Sequence, residues 1–336
     1  MNYLRRILMR NRPLYRPRVW LLLLAVLISA MFLLRRTGSE HTVNIVIPLL
    51  NPLATPFNRT WWDAKSYPDG IHLPRCHGQV PQKHNVSLIA SLKKSLGVPD
   101  GPPPDKDELC SMSFGEVEMY YHTYLSAIQN VCRRSIRMGN TKDGGWDVCS
   151  TEIKQPDDSC LVYSFGIQFD FSFDDAISTV FGCEVHSFDP SMHQKDHLHK
   201  ANVHFHATGL SDYNGVSNDM ASWKMRTLVE IRKELNHVDR NIDVIKMDIE
   251  SWEWNVIPDI LKTSQLAGVK QFLVEFHANT DVLWKEYWIH KLLILRDLYL
   301  EGYRVFWIGR NNMCTYKSPV FNRVLYACYE VSFVKI

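Results

Sequence analysis

The feature that most constrains the fold of this chain is a regular alternation of strand-like and helix-like segments from residue 160 onward. The strand-like segments are apolar and rich in β-branched and aromatic residues; they cover residues 160–167, 183–190, 202–210, 242–249, 269–277, 303–311 and 324–334. Segments with helical spacing of apolar residues lie at 171–182, 221–238, 254–266 and 287–302. This alternation predicts an α/β domain with a doubly wound sheet of mostly parallel strands.

The last two strand-like segments have no helical segment between them. The linker of residues 312–323 is too short for the helical crossover that parallel neighbours need. We therefore expect an antiparallel hairpin at one edge of a seven-stranded sheet whose other strands are parallel.

The N-terminus has a charge asymmetry that is typical of membrane insertion. Six arginines precede an apolar run at 19–34, and Arg35 and Arg36 follow it. The run is long for the apolar part of a cleaved signal peptide, and no small-residue cleavage site follows it. Because basic residues stay on the cytoplasmic side, the pattern predicts a type II signal anchor, with residues 1–18 as a cytoplasmic basic tail and 19–34 as the transmembrane helix. A cleaved signal peptide is the competing interpretation.

Two further features indicate a lumenal position for the rest of the chain. All eight cysteines lie beyond the apolar run, in an even number that is typical of disulfide-bonded domains in oxidising compartments. Glycosylation sequons begin at Asn58 and Asn85. The short span suits a thin membrane of the early secretory pathway. We predict a single-pass glycoprotein of the Golgi or endoplasmic reticulum membrane; the disulfide pairs and the oligomeric state cannot be assigned from the sequence.

The region before the α/β domain divides into two parts. Ten of the sixteen prolines fall between residues 37 and 109, so residues 35–110 are predicted to be a proline-rich lumenal stem. Residues 111–159 are predicted to be a helical extension of the head, with one helix across 115–139, and residues 160–336 to be the head itself. The net charge of +2 gives no basic surplus for a nucleic-acid partner.

Polar residues follow the apolar strands at their carboxyl ends, where ligands bind in doubly wound sheets. They are Ser164, Gly166, Asp170, Asp189, Asp248, Glu250, Glu275 and His277. Asp189 lies about twenty residues after a glycine turn, a spacing at which an acidic residue can accept hydrogen bonds from both hydroxyls of a ribose. The turn contains only one glycine, Gly166, whereas a pyrophosphate needs a glycine-rich turn. A nucleoside ligand without phosphates, such as S-adenosylmethionine, fits this pattern better.

Four motifs occur in order along the chain: CLVYSFGIQFDFSFDDAI, HSFDPSM, FHATGLSD and IDVIKMDIESWEW. Together they resemble the methyltransferase-like protein 24 group, which is related to the FkbM-type methyltransferases, across residues 146–336. The resemblance implies a class I methyltransferase fold, which is Rossmann-like and binds S-adenosylmethionine. The positions that it implies for cofactor binding are Ser164, Phe165, Gly166, Asp170, Asp189, Gly209, Asp212 and Asp248. Among them, Asp189 would hold the ribose and residues 209–212 would lie near the adenine.

The expected reaction is transfer of a sulfonium methyl group to an acceptor oxygen, and a lumenal position favours a glycan hydroxyl or another lumenal acceptor. Because a sugar hydroxyl is a poor nucleophile, a general base is expected within reach of it. Asp248 is the first candidate, and His277 and Glu250 are the others. The chain has Ser251 directly after the DIE triplet, where the FkbM-type pattern usually has glycine, a residue that readily adopts a positive φ.

The sequence leaves several alternatives open. Asp189 could cap the following helix, and Glu253 could stabilise the positive end of a helix. His193 and His197 have i,i+4 spacing, but no carboxylate or cysteine completes a recognised ligand set, so no metal is predicted. The alternative functions are a non-catalytic lumenal binding protein and a Golgi glycosyltransferase. A glycosyltransferase usually has a DxD motif at a strand end, whereas the DKD of residues 105–107 lies in the predicted stem.

Overall fold

The computed structural model describes residues 101–141, 143–153, 160–217, 221–278 and 284–336. The predicted anchor at 19–34, both glycosylation sequons and most of the predicted stem lie outside these residues. Within the described part of the chain, no helix is both long and apolar enough to cross a membrane.

The described residues form six α-helices and fifteen strands, together with short 3₁₀ turns. The helices are α1 (Lys106–Ser111), α2 (Phe114–Tyr124), α3 (Ser172–Phe181), α4 (Leu228–Glu234), α5 (Glu253–Lys262) and α6 (Lys285–Leu300). The strands are β1 (Ser135–Met138), β2 (Trp146–Cys149), β3 (Leu161–Phe165), β4 (Glu184–Phe188), β5 (His197–Lys200), β6 (Val203–His206), β7 (Gly209–Leu210), β8 (Gly215–Val216), β9 (Lys224–Arg226), β10 (Val244–Met247), β11 (Gln271–His277), β12 (Tyr303–Arg310), β13 (Thr315–Lys317), β14 (Val324–Tyr326) and β15 (Cys328–Lys335).

The central sheet has eight strands in the order β12, β15, β11, β10, β3, β4, β6 and β5. Strands β11, β10, β3, β4 and β6 are mutually parallel, whereas β15 is antiparallel to both of its neighbours. The mostly parallel sheet and the antiparallel edge hairpin are confirmed. The predicted number of seven strands was wrong, because β5 adds an eighth strand antiparallel to β6 at the other edge.

The middle strands are buried along their whole length. Every residue of β3, β10 and β11 is buried, as expected where helices cover both faces of a parallel sheet. The two apolar layers form separate clusters. The larger one contains Phe165, Trp254 and Trp288, and the smaller one contains Trp146, Phe173 and Val185. The carboxyl ends of β3, β4 and β10 therefore meet at one rigid edge.

The predicted helix across 115–139 ends early. A capping box begins α2, since Ser113 Oγ accepts from the Glu116 N–H while the Glu116 carboxylate accepts from the Ser113 N–H. The helix stops at Tyr124, and β1 instead pairs with β2 as an antiparallel hairpin. The Cys132–Cys149 disulfide ties this hairpin together. The extension of the head is therefore mixed rather than helical.

The packing of the head includes residues on the stem side of the predicted boundary at residue 110. Helix α1 spans that boundary, and its Leu109 is fully buried in the larger cluster. Asp105 begins this helix by accepting the Glu108 N–H at 3.0 Å. The DKD of the predicted stem is thus a helix start, not a strand-end triad.

Candidate functional site

The turn after β3 is built around Gly166. Its φ is +74°, a conformation that glycine adopts at little cost. A Cβ at this position would overlap the backbone oxygen of Asp248, so β10 approaches the turn closely. The Gly166 N–H donates to Phe188 O at 2.8 Å, which fixes the turn to the end of β4 as well. Glycine is required here by both conformation and space.

Asp189 lies directly beside this turn. Its Oδ2 accepts the Gln168 N–H at 2.8 Å, and its Oδ1 accepts the Ser191 N–H at 2.8 Å and the Ser191 hydroxyl at 2.6 Å. The side chain caps the 3₁₀ turn Pro190–Met192, as the alternative interpretation of the sequence had it. Asp189 therefore both caps the 3₁₀ turn and lies beside the Gly166 turn, and these contacts hold its carboxylate in one orientation.

Ser164 and Phe165 contribute to the turn through backbone position. Phe165 belongs to the core, where its ring stacks on Phe188 with centroids 4.7 Å apart. Ser164 lies on the opposite face of β3, in register with Ser187 and Lys246 on the neighbouring strands. Both side chains are buried.

The remaining cofactor candidates surround the turn. Asp170 accepts the Ser172 N–H at 2.9 Å and the Asn140 side-chain amide at 2.6 Å, so it joins the start of α3 to the loop after β1. Gly209 lies in β7, where a Cβ would be 3.1 Å from Pro190 Cγ, which places it next to the Asp189 cap. Asp212 is half-buried and follows β7 in the chain.

A second group of polar residues surrounds His277 at the ends of β10 and β11. The His277 Nε2 atom lies 3.8 Å from Asp248 Oδ1, 3.7 Å from Glu250 Oε2 and 3.9 Å from Glu275 Oε2. On the other side of the ring, Nδ1 lies 3.1 Å from Glu253 Oε1, which also accepts the His277 N–H at 2.6 Å. The structure thus brings together all three catalytic candidates, Asp248, Glu250 and His277.

Charge and burial shift the acid–base properties of this group. Burial alone would lower the pKa of His277, but the carboxylates of Glu253 and Glu275 outweigh it and raise the pKa well above its usual value. Burial, with the charge of Asp248 adding to it, raises the pKa of Glu275 to about 8. Burial also raises the pKa of Glu250, although His277 opposes the rise. The surrounding carboxylates therefore favour the charged form of the imidazole, which balances part of their negative charge.

The loop after β10 is strained at two successive residues. Glu250 has φ +57° and Ser251 has φ +81°, both in the left-handed region. Residues other than glycine are held there only when the surrounding structure fixes them, and such positions are concentrated at functional sites. This conformation turns the chain sharply from β10 into α5 and leaves the Glu250 side chain 45% exposed.

Comparison with known proteins identifies the domain to which this edge belongs. A family model described as a methyltransferase domain matches residues 111–335, which include every strand of the central sheet. The chain belongs to this methyltransferase-domain family.

Curated relatives of this methyltransferase domain have a matching name. Probable methyltransferase-like protein 24 of Homo sapiens is 25% identical over 319 residues, covering 80% of this chain and 84% of that protein. The Rattus norvegicus protein of the same name is 25% identical over 251 residues, covering 67% of this chain and 66% of that protein. The resemblance read from the four motifs is confirmed.

A solved structure is also similar at a low level. A SAM-dependent methyltransferase from Anabaena variabilis is 8% identical, with 71% of this chain and 100% of that chain covered and a TM-score of 0.28. A score this low does not bear on the fold.

Two residues of the methyltransferase domain have roles that the sequence did not reveal. Lys246 Nζ donates to Gly166 O at 2.7 Å and to Phe165 O at 3.1 Å, so it stabilises the Gly166 turn after β3. Its signal was a lone lysine inside the apolar strand β10. Glu253 is fully buried and orients His277, whereas the sequence suggested only a helix-end acid. The sequence does place a histidine on the next strand, but its contact with Glu253 can be inferred only once the pairing of the strands is known.

Proposed function

We propose that this chain is an S-adenosylmethionine-dependent methyltransferase that methylates an oxygen of an acceptor in the secretory pathway. The observation that carries the proposal is the junction of Gly166, Asp189 and Asp248. A left-handed glycine packs against the end of β10, and a buried, oriented carboxylate lies beside the same turn. This is the edge at which doubly wound sheets bind nucleosides.

The residues present fit a nucleoside ligand. A carboxylate has about four acceptor positions, and protein donors fill three of those on Asp189. One position remains, so Asp189 would accept one ribose hydroxyl rather than the two expected from the sequence. Gly209 and Asp212, which lie past the Asp189 cap, would border the adenine. Backbone groups of the Gly166 turn, supported by Lys246, would face the rest of the cofactor.

The strand-end carboxylates would activate the acceptor. When bound, S-adenosylmethionine supplies an electrophilic methyl group on a sulfonium sulfur. Asp248, whose side chain is 23% exposed, would accept the proton that the acceptor hydroxyl loses as its oxygen gains the methyl. His277, whose pKa is raised by the surrounding carboxylates, would orient these carboxylates instead. Holding the acceptor in line with the methyl group would supply most of the rate gain.

The proposed compartment and acceptor have separate support. The predicted anchor at 19–34 would place the head in the lumen, and three disulfides join described cysteines: Cys132–Cys149, Cys160–Cys183 and Cys314–Cys328. Disulfides of this kind persist in oxidising compartments. A glycan hydroxyl is the favoured acceptor there, with a lumenal protein or lipid as the other class. The family match favours methyl transfer over the glycosyltransferase alternative.

Methyl transfer is tested by incubating the purified full chain with S-adenosylmethionine labelled in the methyl group and a panel of glycans. We expect label in a glycan, and we expect Asp248→Asn to lower kcat at least about 100-fold while cofactor binding is retained. Cofactor binding without transfer to any acceptor class would favour the non-catalytic binding protein. A protein that neither binds S-adenosylmethionine nor transfers its methyl group would refute the proposal.

A further inference from the structure

We propose that Asp248, Glu250, Glu275 and His277 form a binding site for a divalent cation of the Mn²⁺ type. The ligand atoms of Asp248, Glu250 and His277 all lie within 4.8 Å of one another. Glu275 Oε2 lies 3.9 Å from the same ring nitrogen of His277. Two carboxylates and one imidazole thus converge from the ends of two adjacent strands, β10 and β11, and the Glu275 carboxylate lies beside the imidazole.

The spacing of these groups fits a shared ion better than direct hydrogen bonds. The three carboxylate oxygens lie 3.7–3.9 Å from His277 Nε2, beyond hydrogen-bond distance. Two adjacent ligands at about 2.1 Å from an ion in octahedral geometry lie about 3.0 Å apart. Small side-chain movements would therefore close the group around an ion.

The imidazole itself points to a ligand, independently of the acidic residues. His277 is buried, with 9% of the residue and 11% of its side chain exposed, and no described donor or acceptor lies within hydrogen-bond distance of its Nε2. Its other nitrogen, Nδ1, is held by Glu253, which is fully buried. A carboxylate that orients the far nitrogen of a histidine is the usual outer-shell arrangement around a metal ligand. Asn311 holds Glu275 Oε1 at 3.2 Å in a similar way.

The sheet places further negative charge around the same point. Glu275 and Glu330 are direct cross-strand partners on β11 and β15, where like charges destabilise the pair. Arg137 lies 3.8 Å from Glu330 and balances that residue, but the described structure places no arginine or lysine within 4 Å of the carboxylates of Asp248, Glu250 or Glu275. A divalent cation would supply positive charge in place of the proton on His277 Nε2, because histidine binds a metal only through a deprotonated nitrogen.

Two other groups of metal-ligating side chains are excluded by their contacts. Cys328, which lies near Glu275 and His277, is bonded to Cys314 and offers no thiolate. Glu184, His186 and His237 also converge, but Arg240 donates to Glu184 at 2.8 Å and lies 3.0 Å from His237 Nε2. A guanidinium already occupies that centre.

The donor set indicates which ion is favoured. Carboxylate oxygens suit Mg²⁺, Ca²⁺ and Mn²⁺, whereas an imidazole nitrogen suits the transition metals. Mn²⁺ accepts both ligand types. An ion at this position would keep coordination positions for oxygens of an acceptor and would increase the acidity of a bound hydroxyl. Asp248 would then act as a ligand and not as the proton acceptor; this role, unlike the binding itself, rests on the proposed methyl transfer.

Binding is tested by titrating Mn²⁺ into the full chain after dialysis against EDTA, with free Mn²⁺ measured by electron paramagnetic resonance. We expect one ion per chain with a dissociation constant below about 1 mM, and Glu250→Gln and Asp248→Asn should each weaken it at least about tenfold. Glu250 is partly exposed, so its variant will fold even where a buried one does not. The matched control is Glu184→Gln, which removes a carboxylate from the cluster occupied by Arg240 and should leave binding unchanged.

Absence of saturable binding in the wild type, or loss of binding in Glu184→Gln but not in Glu250→Gln, would overturn the cation site. A parallel titration with S-adenosylmethionine separates the two proposals. Mn²⁺ binding without cofactor binding would support the cation site and refute methyl transfer. Cofactor binding without Mn²⁺ binding would overturn the cation site and leave the proposed methyl transfer standing.

Discussion

Ser251 occupies a backbone position that glycine adopts far more easily. Its φ is +81°, and Glu250 before it is also left-handed. The left-handed conformation costs an L-residue about 1–2 kcal/mol. The sequence indicated this position because FkbM-type chains usually have glycine there. The structure shows that the chain keeps the glycine-like turn with serine in it, so local stability is lower than it could be.

Ser251→Gly should raise the free energy of unfolding by about 0.5–1 kcal/mol. Relief of the left-handed φ outweighs the larger entropy that glycine loses on folding. The measurement is chemical denaturation of both proteins. Ser178→Gly, inside α3, is the matched control and should lower stability by about 0.5 kcal/mol. A destabilised Ser251→Gly would show that the serine side chain holds the loop.

Gly166→Ala should destabilise the domain by more than about 3 kcal/mol, because it adds a backbone overlap with Asp248 to the cost of a left-handed φ. Gly182→Ala separates the two effects, since Gly182 has φ +68° but no atom within 4 Å of an added Cβ. It should cost only about 1–2 kcal/mol. Equal losses in the two variants would mean that β10 does not press on the turn.

The sequence predicted the positions of the polar side chains at the sheet edge better than it predicted their contacts. Asp189, Asp248 and His277 could be predicted because each follows an apolar strand, and strand ends meet at one edge. The roles of Lys246 and Glu253 could not, because they depend on distances between residues that are far apart in the chain. Lys246 reaches a carbonyl 80 positions earlier, and Glu253 reaches a ring 24 positions later.

At the scale of elements, His122 joins α2 to the C-terminal strands. Its Nδ1 lies 2.8 Å from the hydroxyl of Tyr329, and its Nε2 lies 2.8 Å from the hydroxyl of Tyr316. Burial, with a smaller effect of the Arg323 charge, lowers the pKa of His122 to about 3. The ring is neutral in the folded protein and therefore links folding to pH.

His122→Gln should reduce the acid sensitivity of the fold. The unfolded histidine binds a proton below its ordinary pKa of about 6.5 and the folded one does not, so its contribution to stability is lost as pH falls from about 6.5 toward 3. Glutamine keeps polar contacts without titrating. Denaturation at several pH values should show a slope smaller by up to about 1.4 kcal/mol per pH unit. His197→Gln changes an exposed histidine and should leave the slope as in the wild type; an unchanged slope in His122→Gln contradicts the assignment.

Elements with strong periodicity were predictable, and those fixed by tertiary contacts were not. The seven apolar strands emerged from their composition. Strand β5 did not, because its burial pattern is mostly exposed and three of its four residues are polar. The β1–β2 hairpin depends on the Cys132–Cys149 disulfide and on Gln271, whose side chain bonds both the N–H and the carbonyl of Cys149. Neither contact is visible in local sequence, which there favoured a helix.

At the scale of the whole molecule, one disulfide joins two central strands of the sheet. Cys160 and Cys183 join the residues that immediately precede β3 and β4, and both are buried. The bond closes a loop with a sequence separation of 23 residues. It joins the two strands whose opposite ends carry the Gly166 turn and Asp189. Its loss should therefore lower the stability of the whole domain.

Replacement of both Cys160 and Cys183 by alanine should lower the free energy of unfolding by about 3 kcal/mol, through the added freedom of the unfolded chain. The measurement is denaturant unfolding of the full chain in non-reducing buffer. Dithiothreitol should lower the free energy of unfolding of the wild type by more than it lowers that of the double variant. Equal stability of the wild type and the double variant in non-reducing buffer would contradict this role of the disulfide.

The proposed adenosyl site at the Gly166–Asp189 junction is tested most directly by calorimetric titration of S-adenosylmethionine into the full chain. We predict one saturable site in the wild type, at least about tenfold weaker binding in Asp189→Asn because a ribose hydroxyl loses its charged acceptor, and unchanged binding in Asp239→Asn, an exposed carboxylate at the other end of the strands. A wild-type protein that takes up no S-adenosylmethionine, or an Asp189→Asn variant that binds it as tightly as the wild type, would contradict the site.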